Sequence, residues 1–268
     1  MINRKGITMK KLLCALIMLT VVVTTSCGNY IGESDSENKS NMEEVNYVFV
    51  EPFCHVYRDV HELIEGVEPS RKDIEILIFT GNVTGISFQI LDITTGGAPT
   101  HETEKKNCYL NTIYEIDIIT SYKGKYSEKT QIRMLGGIID YRTEEQLSIS
   151  KEIEDFNGRI TIVEGMPEIN IGETYLFVTG QFLTIAGQFV TSAPTLVNLN
   201  QSVYNLHNPF DKKLEGYSDN IFPISAKDII SAFGEDKWDS FWTQWQKDNP
   251  KWETWLDRSE VDKALAQN

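Results

Sequence analysis

Basic residues are in short supply. The 268-residue chain carries 25 Lys and Arg against 39 Asp and Glu, a formal net charge of -14. That balance argues against a nucleic-acid binder, which needs a basic face to displace counterions from phosphates. Long apolar runs are missing as well. LLCALIMLTVVV, from Leu12 to Val23, has 12 residues where a membrane-spanning helix takes about 20. Signatures of nucleophilic chemistry are absent. Gly85-Ile86-Ser87-Phe88-Gln89 lacks the second glycine of a G-x-S-x-G elbow. There is no G-x-G-x-x-G and no phosphate-binding loop; Gly96-Gly97 and Gly136-Gly137 read as bends. No internal repeat is visible. What remains is ordinary: 41% hydrophobic and 24% charged residues exclude whole-chain disorder, and the length suits one or two domains.

The start of the chain carries the clearest signal. Arg4, Lys5, Lys10 and Lys11 are the only charges before Cys27, and the apolar run follows them. A basic start, a short apolar middle and a small-residue exit read as a secretory signal over residues 1–26. Met9 opens a more typical signal, so translation can begin there rather than at Met1. The exit, Thr24-Thr25-Ser26-Cys27-Gly28, resembles a bacterial lipobox, with Cys27 as the lipidated residue. Thr24 departs from the usual Leu, and cleavage by the ordinary signal peptidase is the other reading. Lipidation implies a membrane anchor on the extracytoplasmic face; without it the protein is secreted. Removing residues 1–26 takes away four of the 25 basic residues, leaving 21 against 39 acidic ones and a net charge of -18. Anionic headgroups repel such a surface, so the lipid would hold the protein in place. Residues 27–45 are polar and acidic and read as a disordered tether.

Of the four cysteines, Cys14 lies in the signal and Cys27 is the lipid site. Cys54 and Cys108 then either close one disulfide in an oxidising space or remain two buried thiols. From Tyr47 to Leu199 short β-rich runs dominate. Ile74–Ile86 is rich in β-branched residues, with Gly81 and Gly85 as bends or bulges. Tyr109–Ser121 alternates Ile113, Glu115, Asp117 and Ile119 with Tyr114, Ile116 and Ile118. Thr130–Leu135, Arg159–Val163, Tyr175–Val178 and Gln188–Thr191 follow as strands, and Asp59–Glu65 as one short helix. Short strands between turn signals predict an all-β sandwich or barrel over residues 46–200.

Residues 201–268 change character. Ser225 caps a helix with Asp228 in its first turn, Gly234 ends it, Asp236–Lys247 forms a second and Asn249-Pro250 starts a third. All five tryptophans lie here, at 238, 242, 245, 252 and 255. Trp238, Phe241, Trp242 and Trp245 share one helical face. That face either docks on the barrel or forms a platform for a glycan, a protein or a membrane interface.

The order of these pieces carries a resemblance: Glu62-Leu63-Ile64, then Ile78-Phe79-Thr80-Gly81-Asn82-Val83, then Tyr114-Glu115-Ile116 running to Tyr122-Lys123-Gly124, then Ile171-Gly172-Glu173-Thr174-Tyr175-Leu176-Phe177. Over roughly residues 60–195 this is similar to the OB-type barrel of the netrin and tissue-inhibitor-of-metalloproteinase modules, and closer to secreted bacterial relatives of them. The resemblance implies a mainly β fold: a five-stranded, partly open OB-like Greek-key barrel with a short N-terminal helix and an α-helical tail. The inhibitory chemistry is not implied. It needs a free amine on a disulfide-bonded N-terminal cysteine, and lipidation of Cys27 would block that amine.

Candidate chemistry is thin. His61-Glu62-Leu63-Ile64-Glu65 begins like the zinc-protease HExxH but ends in Glu, so it reads as an amphipathic helix. Cys54-His55, His61, His101 and Cys108 match no zinc spacing, so no metal and no cofactor is expected. The leading expectation is a non-catalytic binding module with an unknown protein or glycan partner. Its face would be built from Trp238, Trp242 and Trp245 and from the Thr94–Asn107 loop with His101. A cell-envelope glycan or peptidoglycan hydrolase and a protease-inhibitor-like or immunity-type partner are the alternatives.

Overall fold

The structure is a computed structural model. It describes residues 45–50, 57–65, 74–92, 97–124, 127–151, 159–182, 194–196, 201–211, 224–233 and 235–266. The signal, Cys27, the tether, Cys54 and the Gln188–Thr191 run lie outside these residues.

The fold is mainly β, as the alternation predicts. Strand β2 (Ile74–Asp92) is the long element around which the rest is arranged. Its first half pairs antiparallel with β6 (Thr174–Phe182), and Ile78–Asp92 pairs antiparallel with β3 (Cys108–Lys123). Strand β3 pairs with β4 (Lys129–Leu135), β4 with β7 (Thr195–Leu196), and β7 with β6. The ring β2-β3-β4-β7-β6 closes on β2. The barrel is therefore closed, not partly open. Its narrowest join is β4 to β7, a single parallel pair between Arg133 and Thr195.

One strand can serve two neighbours because it bends. The register of β2 against β3 shifts at Thr80/Gly81 and again at Val83/Gly85. Gly81 has no room for a side chain: a Cβ there would collide with Ile116 and sit 3.0 Å from the Asp117 carbonyl. The glycines read as bends in the sequence thus mark real bulges.

Side chains leave β2 and β6 on two apolar faces. Phe79, Val83, Tyr175 and Phe177 point into the barrel with Tyr114, Ile116, Ile132 and Met134. Ile76, Ile78, Leu176 and Val178 point outward, and all four are buried. They face a second core made by α1 (Val60–Glu65), α3 (Ala226–Ala232), α4 (Glu235–Asp248), α5 (Trp252–Trp255) and α6 (Arg258–Leu265). The tail is anchored to the sheet at its first described residues, because β8 (Val203–Asn205) adds to the edge of β6.

Two further pieces close the ends. A parallel two-stranded sheet joins β1 (Tyr47–Val50) to β5 (Ile160–Val163). Helix α2 (Thr143–Ser150) packs on β2, β3 and β5. Gln146 of α2 is fully buried. Its amide oxygen accepts from the Ile138 N–H at 3.0 Å, and its NH2 donates to the carbonyls of Ile138 (2.8 Å) and Tyr141.

The helix starts follow the capping rules. Ser225 accepts from Asp228 N–H, and the Asp228 carboxylate accepts from Ser225 N–H at 2.8 Å, a full capping box at α3. Asp257 caps α6, a helix the sequence reading did not separate. Among the described residues no helix is long and apolar enough to cross a membrane.

Candidate functional site

The expected tryptophan face is an interior feature. Trp238 is 2% exposed and Trp245 6%. The helical spacing of α4 is real, but its aromatic side turns toward the sheet. Trp238 stacks on Trp242 at 5.9 Å between ring centres, and Trp242 on Trp245 at 5.0 Å. Phe210 meets both Trp238 and Trp242 edge-on. The Trp245 indole N–H donates to the Leu206 carbonyl at 2.6 Å, satisfying the polar atom that burial would otherwise strand. Trp238 and Trp245 are therefore core residues, and Trp242 is partly buried between them. Trp242 and Trp252 are partly buried and Trp255 is the most exposed of the five, with one of its faces covered by His207 at 4.1 Å. Intrinsic fluorescence is accordingly expected to be blue-shifted, with iodide quenching only a minor fraction. Red-shifted emission that iodide quenches throughout would overturn this placement.

The Thr94–Asn107 loop lies elsewhere, at the turn between β2 and β3. Residues 94–96 lie outside the described part. The rest is a surface loop tied at its base. Asp92 N–H donates to the Gly97 carbonyl at 2.9 Å, and the Thr103 hydroxyl donates to the Asp92 carboxylate at 3.2 Å. His101 projects from it into solvent, 3.7 Å from Glu102. Cys54 lies outside the described residues; Cys108 is a buried thiol donating to the Glu104 carbonyl at 3.8 Å. Burial, and secondarily the Asp92 charge, push that thiol's pKa up.

The His61–Glu65 segment is helical, as read, and Leu63 is buried. Glu62 faces Arg58, not a metal. Its carboxylate accepts from Arg58 N–H at 2.6 Å and from the guanidinium at 3.0 Å. Among the described residues, no group of three His, Cys, Asp or Glu side chains converges as a metal site.

One side chain that no motif marks stands out physically. Arg133 lies on the outer face of β4, since its neighbours Ile132 and Met134 fill the barrel. By register it belongs to a row crossing four strands: Ser87 on β2, Ile113 on β3, Arg133 on β4 and Thr195 on β7. Ile113 is 2% exposed, although it points away from the barrel interior. Arg133 is itself largely covered, and its Nε is buried without a hydrogen-bond partner among the described residues. Desolvation lowers the guanidinium pKa, with no opposing acid. The nearest carboxylate by register is Glu115, one row away opposite Gln131, and it forms no ion pair with Arg133. A buried N–H donor without an acceptor is a costly arrangement.

The sequence gives little warning of this. Arg133 occupies a polar position in an alternating strand, which normally means a solvated side chain. Its cover comes from the folded context.

No family model, no curated protein and no solved structure matches this chain.

Proposed function

We propose that this chain is a membrane-anchored lipoprotein of the extracytoplasmic face whose barrel is a non-catalytic binding module of the OB type. The observation that carries the binding reading is Arg133, whose Nε is buried without a hydrogen-bond partner among the described residues, on the outer face of the third barrel strand. OB barrels use the second and third strands, with the flanking loops, to hold ligands. Here the pair is β3 and β4, and the adjoining loop is the surface segment bearing His101. The strand order supports the OB-type reading: the first barrel strand pairs with both the second and the fourth, and α2 lies between the third and the fourth. The anchor reading rests on the basic start, the 12-residue apolar run and the lipobox-like exit at Cys27. The tryptophan-rich tail serves this module as packing, not as its contact surface.

The anchor is tested by Cys27→Ala. The variant is expected to move from the membrane fraction to the soluble extracytoplasmic fraction and to lose incorporation of labelled fatty acid. Retention in the membrane without label would sink the lipoprotein reading. The binding face is tested by mapping the backbone amide shifts of the labelled protein on adding soluble envelope extract. Shifts clustered on β3, β4 and the His101 loop support it; shifts confined to the tail, or none, overturn it.

A further inference from the structure

We infer that the outer edge of β1 is a self-association surface. A second copy of the chain adds its own β1 antiparallel to the first, and the two small sheets join into one of four strands. The inference starts from the way the backbone of β1 points. Among the described strands β1 pairs with β5 alone, in parallel, with Val48 opposite Thr161. The Ile160 N–H donates to the Asn46 carbonyl at 3.1 Å, and the Glu164 N–H to the Val50 carbonyl at 2.9 Å. A parallel ladder engages alternate residues of each strand, so Asn46, Val48 and Val50 face β5. The N–H and C=O groups of Tyr47 and Phe49 point to the other edge, where no strand lies among the described residues.

The choice of a second copy as occupant comes from the edge itself. Tyr-Val-Phe-Val holds no charge, no proline and no glycine. Exposed edges ordinarily resist pairing by such devices. A basic partner drawn to a chain of net charge -14 would find no acid on this strand. The edge is also self-complementary. About a two-fold axis at Val48, Tyr47 of each copy lies opposite Phe49 of the other. These are the residues whose backbone groups point outward, so both pairs exchange two hydrogen bonds, and Val48 meets Val48 as the non-hydrogen-bonded pair between them. The same register sets tyrosine against phenylalanine twice on one face, a favourable cross-strand pair. Phe49 is 53% exposed, and the Tyr47 ring lies 6.5 Å from it. The Tyr47 hydroxyl accepts from the Asp140 N–H at 3.1 Å and donates to its carboxylate at 3.2 Å, which fixes the ring in place. A four-residue edge is short for a permanent complex, which buries at least about 1,200 Å2. The pair is therefore weak and needs a high local concentration. The lipid anchor proposed above would supply one by confining copies to a surface.

The test uses the full purified chain. Amide hydrogen exchange of the wild type is followed from about 10 μM to about 1 mM. The Tyr47 and Phe49 amides are expected to exchange fast when dilute and about fivefold more slowly at the upper end, as for a dissociation constant of about 0.1 mM. Val48 and Val50 are expected to stay protected throughout. Cysteine substitution reads the register. Val48→Cys brings the two Cα atoms to about 4.5 Å, within disulfide reach. Asn46→Cys leaves them about 14 Å apart, beyond it. Oxidation with copper-phenanthroline is expected to give a covalent dimer above the wild-type background for Val48→Cys and not for Asn46→Cys. Adding Phe49→Lys to Val48→Cys is expected to cut that yield about tenfold.

Exchange at Tyr47 and Phe49 that ignores concentration overturns the inference and leaves the edge to another protein or to none. Cross-linking equal at the two positions, or stronger at Asn46→Cys, overturns the register and the pairing with it. Should Val48→Cys fail to fold, the wild-type exchange still decides the question. None of these outcomes bears on the ligand face of β3 and β4, which lies on other strands.

Discussion

Trp238→Ala is expected to remove about 3–5 kcal/mol of stability, the usual cost of emptying a large aromatic site in a core. Trp238 is 2% exposed and touches Phe210, Phe241 and Trp242 through its ring. Its removal leaves a void between α4 and the outer face of the sheet, where Leu176 and Val178 sit. The aromatic neighbours are large and interlocked, so the site has little freedom to collapse. Chemical denaturation would read the loss as a lower midpoint with an unchanged slope. Trp238→Phe keeps most of the volume and is expected to cost much less. A loss below about 1 kcal/mol for Trp238→Ala would mean that the tail is not packed as described.

The second large effect is predicted at Gln146, where the residue is polar and equally buried. Gln146→Leu deletes one acceptor and two donors together. The Ile138 N–H and the carbonyls of Ile138 and Tyr141, all part-buried, then lose their side-chain partner. At the lower end of the ~1–3 kcal/mol that each stranded group costs, because the groups are only part-buried, a total of about 3 kcal/mol is expected. Gln146→Glu is the informative control. A carboxylate can accept from Ile138 N–H but cannot donate to two carbonyls. Burial and those carbonyls would raise its folded-state pKa above the ordinary value of about 4.3. A group raised in the folded state contributes stability at low pH and loses it as pH rises through the folded pKa. Gln146→Glu should therefore approach wild-type stability only in acid, and a flat pH profile would contradict the hydrogen-bond assignment.

These two sites also mark what the sequence could and could not show. The strands were legible where β-branched residues alternate or where both faces are apolar, as in Ile74–Ile86 and Tyr175–Val178. The bulges were legible at Gly81 and Gly85, and at Gly81 the close approach of the Asp117 backbone leaves room for glycine only. The capping box at Ser225 and Asp228 was legible because its signal is local. Helix α2 was not. It buries Gln146 and Ser150 and begins at Arg142, a left-handed residue without a side-chain cap, so neither apolar periodicity nor a cap marks it. The role of the tryptophans stayed open for a different reason. An aromatic stripe has the same spacing whether it meets a partner or the chain's own sheet. Here the opposing surface is the outward row Ile76, Ile78, Leu176 and Val178, and only the fold brings it there. Arg133 illustrates the limit most sharply. Its type and spacing are those of a solvated strand residue, and its lack of a partner is a property of the surroundings.

The wall formed by β2 and β6 has a consequence for how the molecule comes apart. Its two faces belong to two different cores, one inside the barrel and one under the helices. Neither core can be opened without exposing a side of the same strands. The barrel and the tail should therefore protect one another's backbone amides from exchange with solvent, and the amides of Ile76, Ile78, Leu176 and Val178 should be released only by global opening. A chain cut at the apparent boundary near residue 200 would not yield a smaller stable protein. It would leave a barrel with an apolar outer strip, the kind of surface that drives self-association.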